Sequence, residues 1–417
     1  MKTTNRKIVS ILLLAALALA LLAGCSSGSG ETPAGSGGAE TATSGGASKP
    51  GSTAAHTTSP EQEASPKPPV TSYIEVVPPK YKHAFNFSGG LAAVELDDKW
   101  GYIDRTGAEV VPFKYDMTFS FAEGLGTVKL DGKRGFIDNT GAEIIPLIYD
   151  DGRSFNEGLA PVKLDDKWGF IDKTGAEVIP FKYDNAYHFY EDGFARVKLD
   201  DKWGFIDRTG AEITPFKYDD GTYFNEGMAM VKLGDKWGFI DKTGAEAVPV
   251  IYDDGRSFKD GVAPVQLDGK WGFIDKKGAE VIPFIYDNAY AFSRGIATVQ
   301  RDEKWGFIDK KGAEVIPLIY DDVCAFREGL IAVQLDGKWG YIDKTGAEVV
   351  PFKYDEALDF SEGMGGVSLD GVCGFINIEG TEIVPLKYVI VQAFSEGMAV
   401  VGLDYKYGYI GIEGYDD

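Results

Sequence analysis

The side chains that most often carry catalysis or bind metals are few in this sequence of 417 residues. Only three histidines occur, His56, His83 and His188, and none has a cysteine or a second histidine at metal-ligand spacing. The motifs of serine hydrolases, zinc proteases and P-loop proteins are absent from the sequence. We therefore expect no metal, no cofactor and no catalytic residue.

Carboxylates are the one abundant group that could do chemistry, because a glycosidase needs only two of them facing each other across a sugar. Nearly every Asp and Glu, however, recurs at a fixed place in a repeated unit, as in Ile-Asp, Gly-Ala-Glu and Tyr-Asp. A catalytic pair should stand out from the repeat, whereas these positions are typical of turns and solvated surface. A carbohydrate-active enzyme with paired carboxylates is kept as an alternative.

A tandem repeat must position any functional side chains. The unit Lys-Trp-Gly-Phe-Ile-Asp recurs ten times, in steps of 34 residues and one step of 35. Its Trp position is occupied in order by Trp100, Arg134, Trp168, Trp203, Trp237, Trp271, Trp305, Trp339, Cys373 and Tyr407. The glycine that follows is present in all ten copies.

Each unit contains three short apolar runs, which we predict as strands a, b and c. Asp131-Gly132 between a and b is typical of a two-residue hairpin turn. The Asp-Lys-Thr-Gly run at 172–175, between b and c, is typical of a turn that ends in a glycine with positive φ. The prediction is an all-β fold of ten repeats of about 34 residues, each a three-stranded antiparallel meander.

Strand c carries a proline in every unit, which predicts an edge strand or a bulge there. Both faces of these strands are apolar, so neighbouring meanders should stack. We also expect the glycine after each Trp to leave a gap for a large side chain from the next meander.

The two ends of the array constrain its overall arrangement. The folded part begins with a lone strand c at 75–81 and ends with strands a and b at 398–410. An N-terminal strand that completes the last sheet would close a propeller-like ring, although ten blades exceed the usual four to eight. An open β superhelix has the same sequence pattern. Both arrangements stay open at this point.

One position in each unit varies freely, two residues before a Phe that we assign to the core. It is occupied by Phe85, Phe119, Arg153, Tyr187, Thr222, Arg256, Tyr290, Cys324, Leu358 and Gln392. Aromatic and Arg side chains are what recognition surfaces favour, although local packing would also explain them. The one inserted residue falls nearby, and insertions in repeats map to loops. We predict that the binding loops include Arg153, Tyr187, His188, Tyr190, Tyr223, Arg256 and Tyr290.

The N-terminal part has the features of an export signal. Basic residues precede an apolar run at 8–23, and the run ends in Leu22-Ala23-Gly24-Cys25, which resembles the bacterial lipobox. We predict a lipoprotein signal peptide at 1–24, a lipidated Cys25 with a disordered Ser/Gly/Thr/Pro tether at 25–71, and the β-repeat domain at 72–417. No disulfide between the two remaining cysteines, Cys324 and Cys373, is indicated.

The charge of the chain excludes some partners. Its 42 basic and 64 acidic residues give a net charge of -22, and removal of the three cations of the signal makes this -25. Such a surface repels nucleic acid and anionic lipid headgroups. We expect no nucleic-acid partner, and attachment to the membrane only through the lipid anchor.

The motif Lys-Trp-Gly-Phe-Ile-Asp-Lys-Thr-Gly-Ala-Glu-Val-Ile-Pro-Phe-Lys-Tyr-Asp, followed by Phe-x-Glu-Gly, resembles the WG-repeat family over nearly all of 73–414. The resemblance implies a β-rich repeat array, often exported, with no catalytic residues assigned to the repeat. Arg134, Cys373 and Tyr407 replace the Trp of the motif, and we expect these replacements to affect packing only within their own units.

These observations favour a lipid-anchored protein on the extracytoplasmic face of the cell membrane. Its repeat array would be a binding or scaffolding module for a protein, a peptide or a cell-wall glycan. A propeller-type carbohydrate-active enzyme and a passive structural spacer are the alternatives. A spacer predicts that the variable residues do not cluster.

Overall fold

The computed structural model describes residues 69–190 and 192–415 of the chain. The predicted signal peptide at 1–24, Cys25 and nearly all of the predicted tether lie outside the described residues. Regular structure in the described ranges consists of β-strands, which confirms the all-β prediction. None of the described segments forms a helix with the length and apolar character needed to cross a bilayer.

The strands form ten small antiparallel sheets, the blades of a β-propeller. The chain begins with β1 (Tyr73–Tyr81). Blade I contains β2 (His83–Ala84), β3 (Leu91–Leu96), β4 (Lys99–Asp104) and β5 (Glu109–Tyr115). Blade II contains β6 (Met117–Ala122), β7 (Leu125–Leu130), β8 (Lys133–Ile137) and β9 (Glu143–Tyr149). Blade III contains β10 (Asp151–Gly152), β11 (Leu159–Leu164), β12 (Lys167–Asp172) and β13 (Glu177–Tyr183). Blade IV contains β14 (Asn185–Phe189), β15 (Phe194–Leu199) and β16 (Lys202–Asp207).

The same order continues through the second half of the chain. Blade V contains β17 (Asp220–Gly221), β18 (Met228–Leu233), β19 (Lys236–Asp241) and β20 (Glu246–Tyr252). Blade VI contains β21 (Asp254–Gly255), β22 (Val262–Leu267), β23 (Lys270–Asp275) and β24 (Glu280–Tyr286). Blade VII contains β25 (Asn288–Ala289), β26 (Ile296–Arg301), β27 (Lys304–Asp309) and β28 (Glu314–Tyr320). Blade VIII contains β29 (Asp322–Arg327), β30 (Leu330–Leu335), β31 (Lys338–Asp343) and β32 (Glu348–Tyr354). Blade IX contains β33 (Glu356–Ser361), β34 (Met364–Leu369), β35 (Val372–Asn377) and β36 (Glu382–Tyr388), and blade X contains β37 (Ile390–Val391), β38 (Met398–Leu403) and β39 (Lys406–Ile412).

The prediction of three strands per unit is wrong by one strand. A further strand, here called the inner strand, precedes strand a in each blade and pairs with it; in blade III Asp151 lies opposite Lys163 and Gly152 opposite Val162. Inner strands of neighbouring blades approach each other, as β29 and β33 do, so the blades converge at this edge. Strand c, here called the outer strand, lies at the opposite edge of its sheet, as the proline predicts.

Blade IV departs from this pattern on its outer side. Its outer segment makes only isolated bridges, between Trp203 and Tyr218 and between Ile206 and Glu212. Thr214 stands where most units have Val or Ile, and its buried Oγ1 accepts a hydrogen bond from Phe205 N at 3.0 Å. This side-chain bond competes with the backbone ladder, because a Thr hydroxyl offers the strand an alternative partner.

The N-terminal strand closes the ring. β1 pairs antiparallel with β39, from Tyr73 opposite Ile412 to Tyr81 opposite Tyr407, and so completes the sheet of blade X. Blade X also contacts blade I directly: Ser395 Oγ donates to Phe87 O at 3.0 Å, and Tyr409 Oη donates to Phe85 O at 2.7 Å. Of the two arrangements that the sequence left open, the ring is therefore present.

The glycine of each Trp-Gly pair serves its own blade. A Cβ on Gly169 would lie 2.7 Å from Ile179 O and 3.0 Å from Phe181 N, both in the outer strand of blade III. The outer strand bulges toward the glycine here, since the register shifts between the pairs Trp168–Tyr183 and Phe170–Ile179. The expectation that a side chain from the next meander fills this gap is wrong.

Several repeated carboxylates link neighbouring blades rather than lying free in solvent. Asp116, which follows the outer strand of blade I, accepts Lys99 Nζ at 2.7 Å and the N–H of Asp131 in the a–b turn of blade II at 2.8 Å. At the other end of the strands, Glu226 of blade V accepts the N–H groups of Asp260 and Gly261 in blade VI at 2.6 and 2.9 Å. Since both bonds to each carboxylate are charge-assisted, they fix the spacing of adjacent blades.

Apolar cores lie between neighbouring blades, as the stacking prediction requires. One cluster joins Trp168, Phe170 and Ile179 of blade III to Phe189 and Ile206 of blade IV. The assigned core Phe of each unit is buried in nine blades, and only Phe326 of blade VIII is partly exposed. No blade buries its own two faces alone, so the ring is stable only as stacked neighbours.

Cys373 occupies the Trp position of blade IX and is a buried free thiol, so it forms no disulfide with Cys324. Its Sγ donates to Val389 O at 3.6 Å, and burial raises its pKa to about 11. Leu358, Gly366 and Val391 lie around it, and the gap between these residues has no room for a water molecule.

We expect Cys373 to resist thiol reagents in the folded protein. A pKa of about 11 leaves roughly 200-fold less thiolate at pH 8 than an ordinary cysteine has. The test is the rate of reaction with Ellman's reagent at pH 8, in a chain with Cys25 and Cys324 changed to Ser, before and after unfolding in guanidinium. Equal rates in the two states would contradict the buried position.

Candidate binding rim

The ten variable residues form one circle, here called the inner rim: Phe85, Phe119, Arg153, Tyr187, Thr222, Arg256, Tyr290, Cys324, Leu358 and Gln392. Each lies in the inner strand of its blade or directly after it, and many donate their backbone N–H to strand a, as Arg153 does to Pro161 O at 3.0 Å. Because side chains alternate along a strand, this position points to the same blade face as the Trp of the Trp-Gly pair. The ring of Phe85 accordingly stacks on Trp100 with centroids 5.3 Å apart.

Two ends of the ring can be distinguished by their turns. The a–b turns lie at the end here called the hairpin face. In nine of the ten turns both residues have positive φ, as Asp131 and Gly132 do, which is typical of two-residue hairpins. The b–c turns lie at the opposite end, together with Tyr73 and Ile412. The Trp of each Trp-Gly pair is the second residue of strand b and lies toward the hairpin face, so the inner rim opens toward that face.

Blades III and IV bring two predicted residues together across their interface. The guanidinium carbon of Arg153 lies 5.3 Å from the ring centroid of Trp168 and 4.2 Å from that of Tyr187 in the next blade. Arg153 Nη2 also donates to Asn185 Oδ1 over 3.4 Å. The guanidinium thus contacts two aromatic rings and one amide oxygen, and its N–H donors lie in the plane of the group.

Blades VI and VII repeat the arginine–aromatic contacts at similar distances, although Arg153 Nε lacks the backbone partner that Arg256 Nε has. Arg256 lies 5.2 Å from Trp271 and 4.1 Å from Tyr290. Its Nη2 donates to Asn288 Oδ1 over 3.3 Å, and its Nε donates to Ala289 O at 3.0 Å. The recurrence of the Asp-Gly-Arg-Ser-Phe segment at 151–155 and 254–258 thus produces two copies of one constellation.

Sequence reasoning missed two further arginines of the same circle. Arg196 in strand a of blade IV lies 4.5 Å from Tyr187 and 4.4 Å from Trp203, and it forms an ion pair with Asp220 at 2.7 Å. Arg134, which replaces a Trp, lies over Phe119. It forms an ion pair with Asp151 at 3.0 Å. Both arginines replace the residue types found at these positions in other units, and this replacement is the sequence feature that could have indicated them.

The remaining predicted residues form a separate group between blades IV and V. The rings of Tyr190 and Tyr223 stack with centroids 4.6 Å apart, and His188 meets Tyr190 edge-on at 6.5 Å. Burial, with the nearby charge of Arg153, lowers the pKa of His188 to about 4, so the imidazole is neutral at pH 7. The seven predicted residues therefore occupy three clusters instead of one.

A surface depression of about 650 Å³ lies at the seam between blades I and X, and two carboxylates line it. Both belong to repeated positions with bonds inside the fold. Asp104 Oδ1 accepts the N–H groups of Thr106 and Ala108 at 2.8 and 3.0 Å. Glu396 accepts the N–H groups of Gly89 and Gly90 at 2.7 and 2.9 Å. Asp104 therefore stabilises its own b–c turn, and Glu396 links blade X to blade I.

Asp359 differs from the repeated carboxylates. It lies directly before the core Phe of blade IX, and burial raises its pKa to about 6. Its Oδ1 has no hydrogen-bond partner within the described ranges. Across those ranges no group of three or more His, Cys, Asp or Glu side chains is arranged to hold a metal ion.

Comparison with known proteins places the repeat in a family. The sequence profile of the WG containing repeat matches ten segments that together run from residue 75 to residue 407. No curated protein matches the chain.

Several solved structures resemble the fold at low identity. A eukaryotic initiation factor has a TM-score of 0.49 and 10% identity, over 69% of this chain and 90% of that chain. PorZ, a surface component of the type-IX secretion system of Porphyromonas gingivalis, has a TM-score of 0.28 and 9% identity, over 80% of this chain and 57% of that chain. The extracellular domain of a one-component system of B. thetaiotaomicron has a TM-score of 0.27 and 10% identity, over 78% and 57% of the two chains.

Proposed function

We propose, on the premise that this chain belongs to the WG containing repeat family, that it is a membrane-anchored lipoprotein whose β-propeller binds a partner through the inner rim. The partner is a protein, a peptide or a cell-wall glycan outside the cytoplasmic membrane. The observation that carries the proposal is the pair of arginine–aromatic stacks, Arg153 with Tyr187 and Arg256 with Tyr290.

These contacts bear on the alternative of a passive spacer. A ring places equivalent positions on one circle by its symmetry alone, so their clustering is uninformative. In addition, Arg153 of blade III contacts Tyr187 of blade IV, and Arg256 of blade VI contacts Tyr290 of blade VII. Arg, Tyr and Trp in half-buried contact are the composition of binding hot spots, which supports recognition over filler.

The direction of the chain supports the same assignment. Residues 1–68 join the ring through β1, whose first residue Tyr73 lies at the end opposite the hairpin face. The inner rim opens toward the hairpin face and therefore away from the point of attachment. A tether that leads to a lipid on Cys25 would leave the inner rim accessible to wall or extracellular partners.

Anchoring has its own test. We expect Cys25→Ser to abolish incorporation of radiolabelled fatty acid and to release the protein from the membrane fraction of the producing bacterium. Cys373→Ser is the matched control, because its thiol is buried and should leave labelling unchanged. Unaltered labelling in the Cys25 variant would refute the lipobox assignment.

Binding is tested with the chain that lacks residues 1–24 and carries Cys25→Ser. We expect saturable binding to a cell-wall fraction or to a member of a glycan and protein panel. Changing Tyr187, His188, Tyr190 and Tyr290 together to Ala should weaken it at least tenfold, since hot-spot truncations each cost about 2 kcal/mol or more. The control changes four exposed outer-strand lysines, Lys114, Lys182, Lys217 and Lys353, to Ala. Equal affinity of the two variants would place the binding surface elsewhere.

A further inference from the structure

The four arginines around the inner rim differ in how their charge is balanced. Arg134 and Arg196 each meet a carboxylate at the first residue of the next inner strand, Asp151 and Asp220, at 3.0 and 2.7 Å. Within the described ranges Arg153 and Arg256 form no ion pair. In these two cases the first residue of the next inner strand is an Asn, Asn185 or Asn288.

Asn at this strand position is confined to these two blades. The ten residues there are His83, Met117, Asp151, Asn185, Asp220, Asp254, Asn288, Asp322, Glu356 and Ile390. Each of the two Asn residues thus stands where an Asp would neutralise the arginine beside it. The chain has a net charge of -22, yet among the residues that the structure describes no carboxylate pairs with either of these two half-buried guanidinium groups.

The geometry of the stacks limits what can supply that charge. Each guanidinium carbon lies within 5.3 Å of two ring centroids, and its N–H donors lie in the plane of the group, so an anion that accepts from them approaches in that plane. A carboxylate matches this edge, because two parallel N–H donors of one guanidinium fit its two oxygens. Asn185 and Tyr187 at one stack, and Asn288 and Tyr290 at the other, add neutral polar groups suited to hydroxyls.

We propose that the ring holds two equivalent carboxylate-binding subsites, at Arg153 and at Arg256, and that its ligand is a glycan with carboxylates on repeating units. The inference rests on the proposed binding function and specifies its ligand class. Two copies of one constellation, three blades apart, match a polymer that presents the same group repeatedly. A chain that reaches both subsites gains affinity over a short one without any new contact.

The test is calorimetric titration of the chain that lacks residues 1–24 and carries Cys25→Ser. The probes are a short oligogalacturonate, its methyl ester, a long oligogalacturonate and polyglutamate. The expected result is two equivalents of the short oligogalacturonate per chain, at least tenfold weaker binding of the ester, and tighter binding of the long oligomer. Arg153→Gln or Arg256→Gln alone should leave one equivalent.

The decisive variant keeps both arginines. Asn185→Asp with Asn288→Asp would supply the missing carboxylates from within and should lower affinity for oligogalacturonate at least tenfold without a loss of thermal stability. Arg301→Gln is the control, since Arg301 already pairs with Glu314 at 3.0 Å. Unchanged binding in the double Asn variant, or equal binding of the ester, overturns the proposal.

Two further outcomes of the titrations would separate the ligand class from the proposed binding function. Binding of polyglutamate without oligogalacturonate would overturn the glycan assignment while keeping the carboxylate subsites. If every carboxylate probe fails to bind, the subsites are overturned. The proposed function still stands if the wild type binds a wall fraction and the variant at Tyr187, His188, Tyr190 and Tyr290 does not.

Discussion

A chain that begins at Lys82 and therefore lacks β1 is expected to lose the closed ring and most of its cooperative unfolding transition. The truncation removes Val77 and Tyr81, which are 3% and 1% exposed, from the core between blades X and I. It also leaves the paired edge of β39 without its ladder of hydrogen bonds. Loss of these two side chains alone should cost about 4 to 8 kcal/mol by analogy with large-to-small core substitutions.

The measurement is thermal unfolding followed by circular dichroism, with a chain that begins at Pro69 as the control. A synthetic peptide of residues 69–82 should restore part of the transition, because an added strand can complete an open sheet edge. If the truncated chain unfolds at the same temperature as the control, β1 does not lock the ring in solution.

The second large effect is expected at the glycine of a Trp-Gly pair. Gly169→Ala should destabilise the protein by about 3 kcal/mol, the upper part of the range for overpacked sites. The added Cβ would meet Ile179 O at 2.7 Å and Phe181 N at 3.0 Å, and both are backbone atoms that cannot turn aside.

The matched control is Gly132→Ala in an a–b turn. Its Cβ would meet nothing within 4 Å, although φ is +80°, so the cost should be about 1 kcal/mol from the left-handed conformation alone. Urea denaturation of both variants measures the difference. A cost at Gly169 no greater than at Gly132 would mean that the outer strand yields to the added methyl group.

The predictable part of the fold was the part with local signals. Strands a, b and c and their turns follow from apolar runs, Asp-Gly pairs and a fixed proline. The inner strand has a weaker signal: in six blades it has only two residues, such as Asp151 and Gly152 in blade III, which are too few to show alternation. Ring closure requires pairing between Tyr73 and Ile412, at opposite ends of the chain, which sequence spacing cannot establish.

The candidate site shows the same division. Variation within a constant frame identified Arg153, Tyr187, Arg256 and Tyr290, which the structure brings together in two stacks. It did not indicate that Tyr190 stacks on Tyr223, because that contact joins residues of two different repeats. The significance of Asn185 becomes visible only beside the Asp residues that occupy its place in other blades.

The closing strand also decides how the ring bears tension. The polypeptide leads from residues 1–68 into the ring through Tyr73, so a pull along that segment enters β1 along its length. β1 and β39 run antiparallel, and their hydrogen bonds lie across the direction of such a pull. In the proposed lipoprotein, a load between the lipid anchor and a ligand on the hairpin face would therefore shear the whole ladder at once instead of peeling it bond by bond. The strand that completes the last blade is thus placed to resist mechanical force.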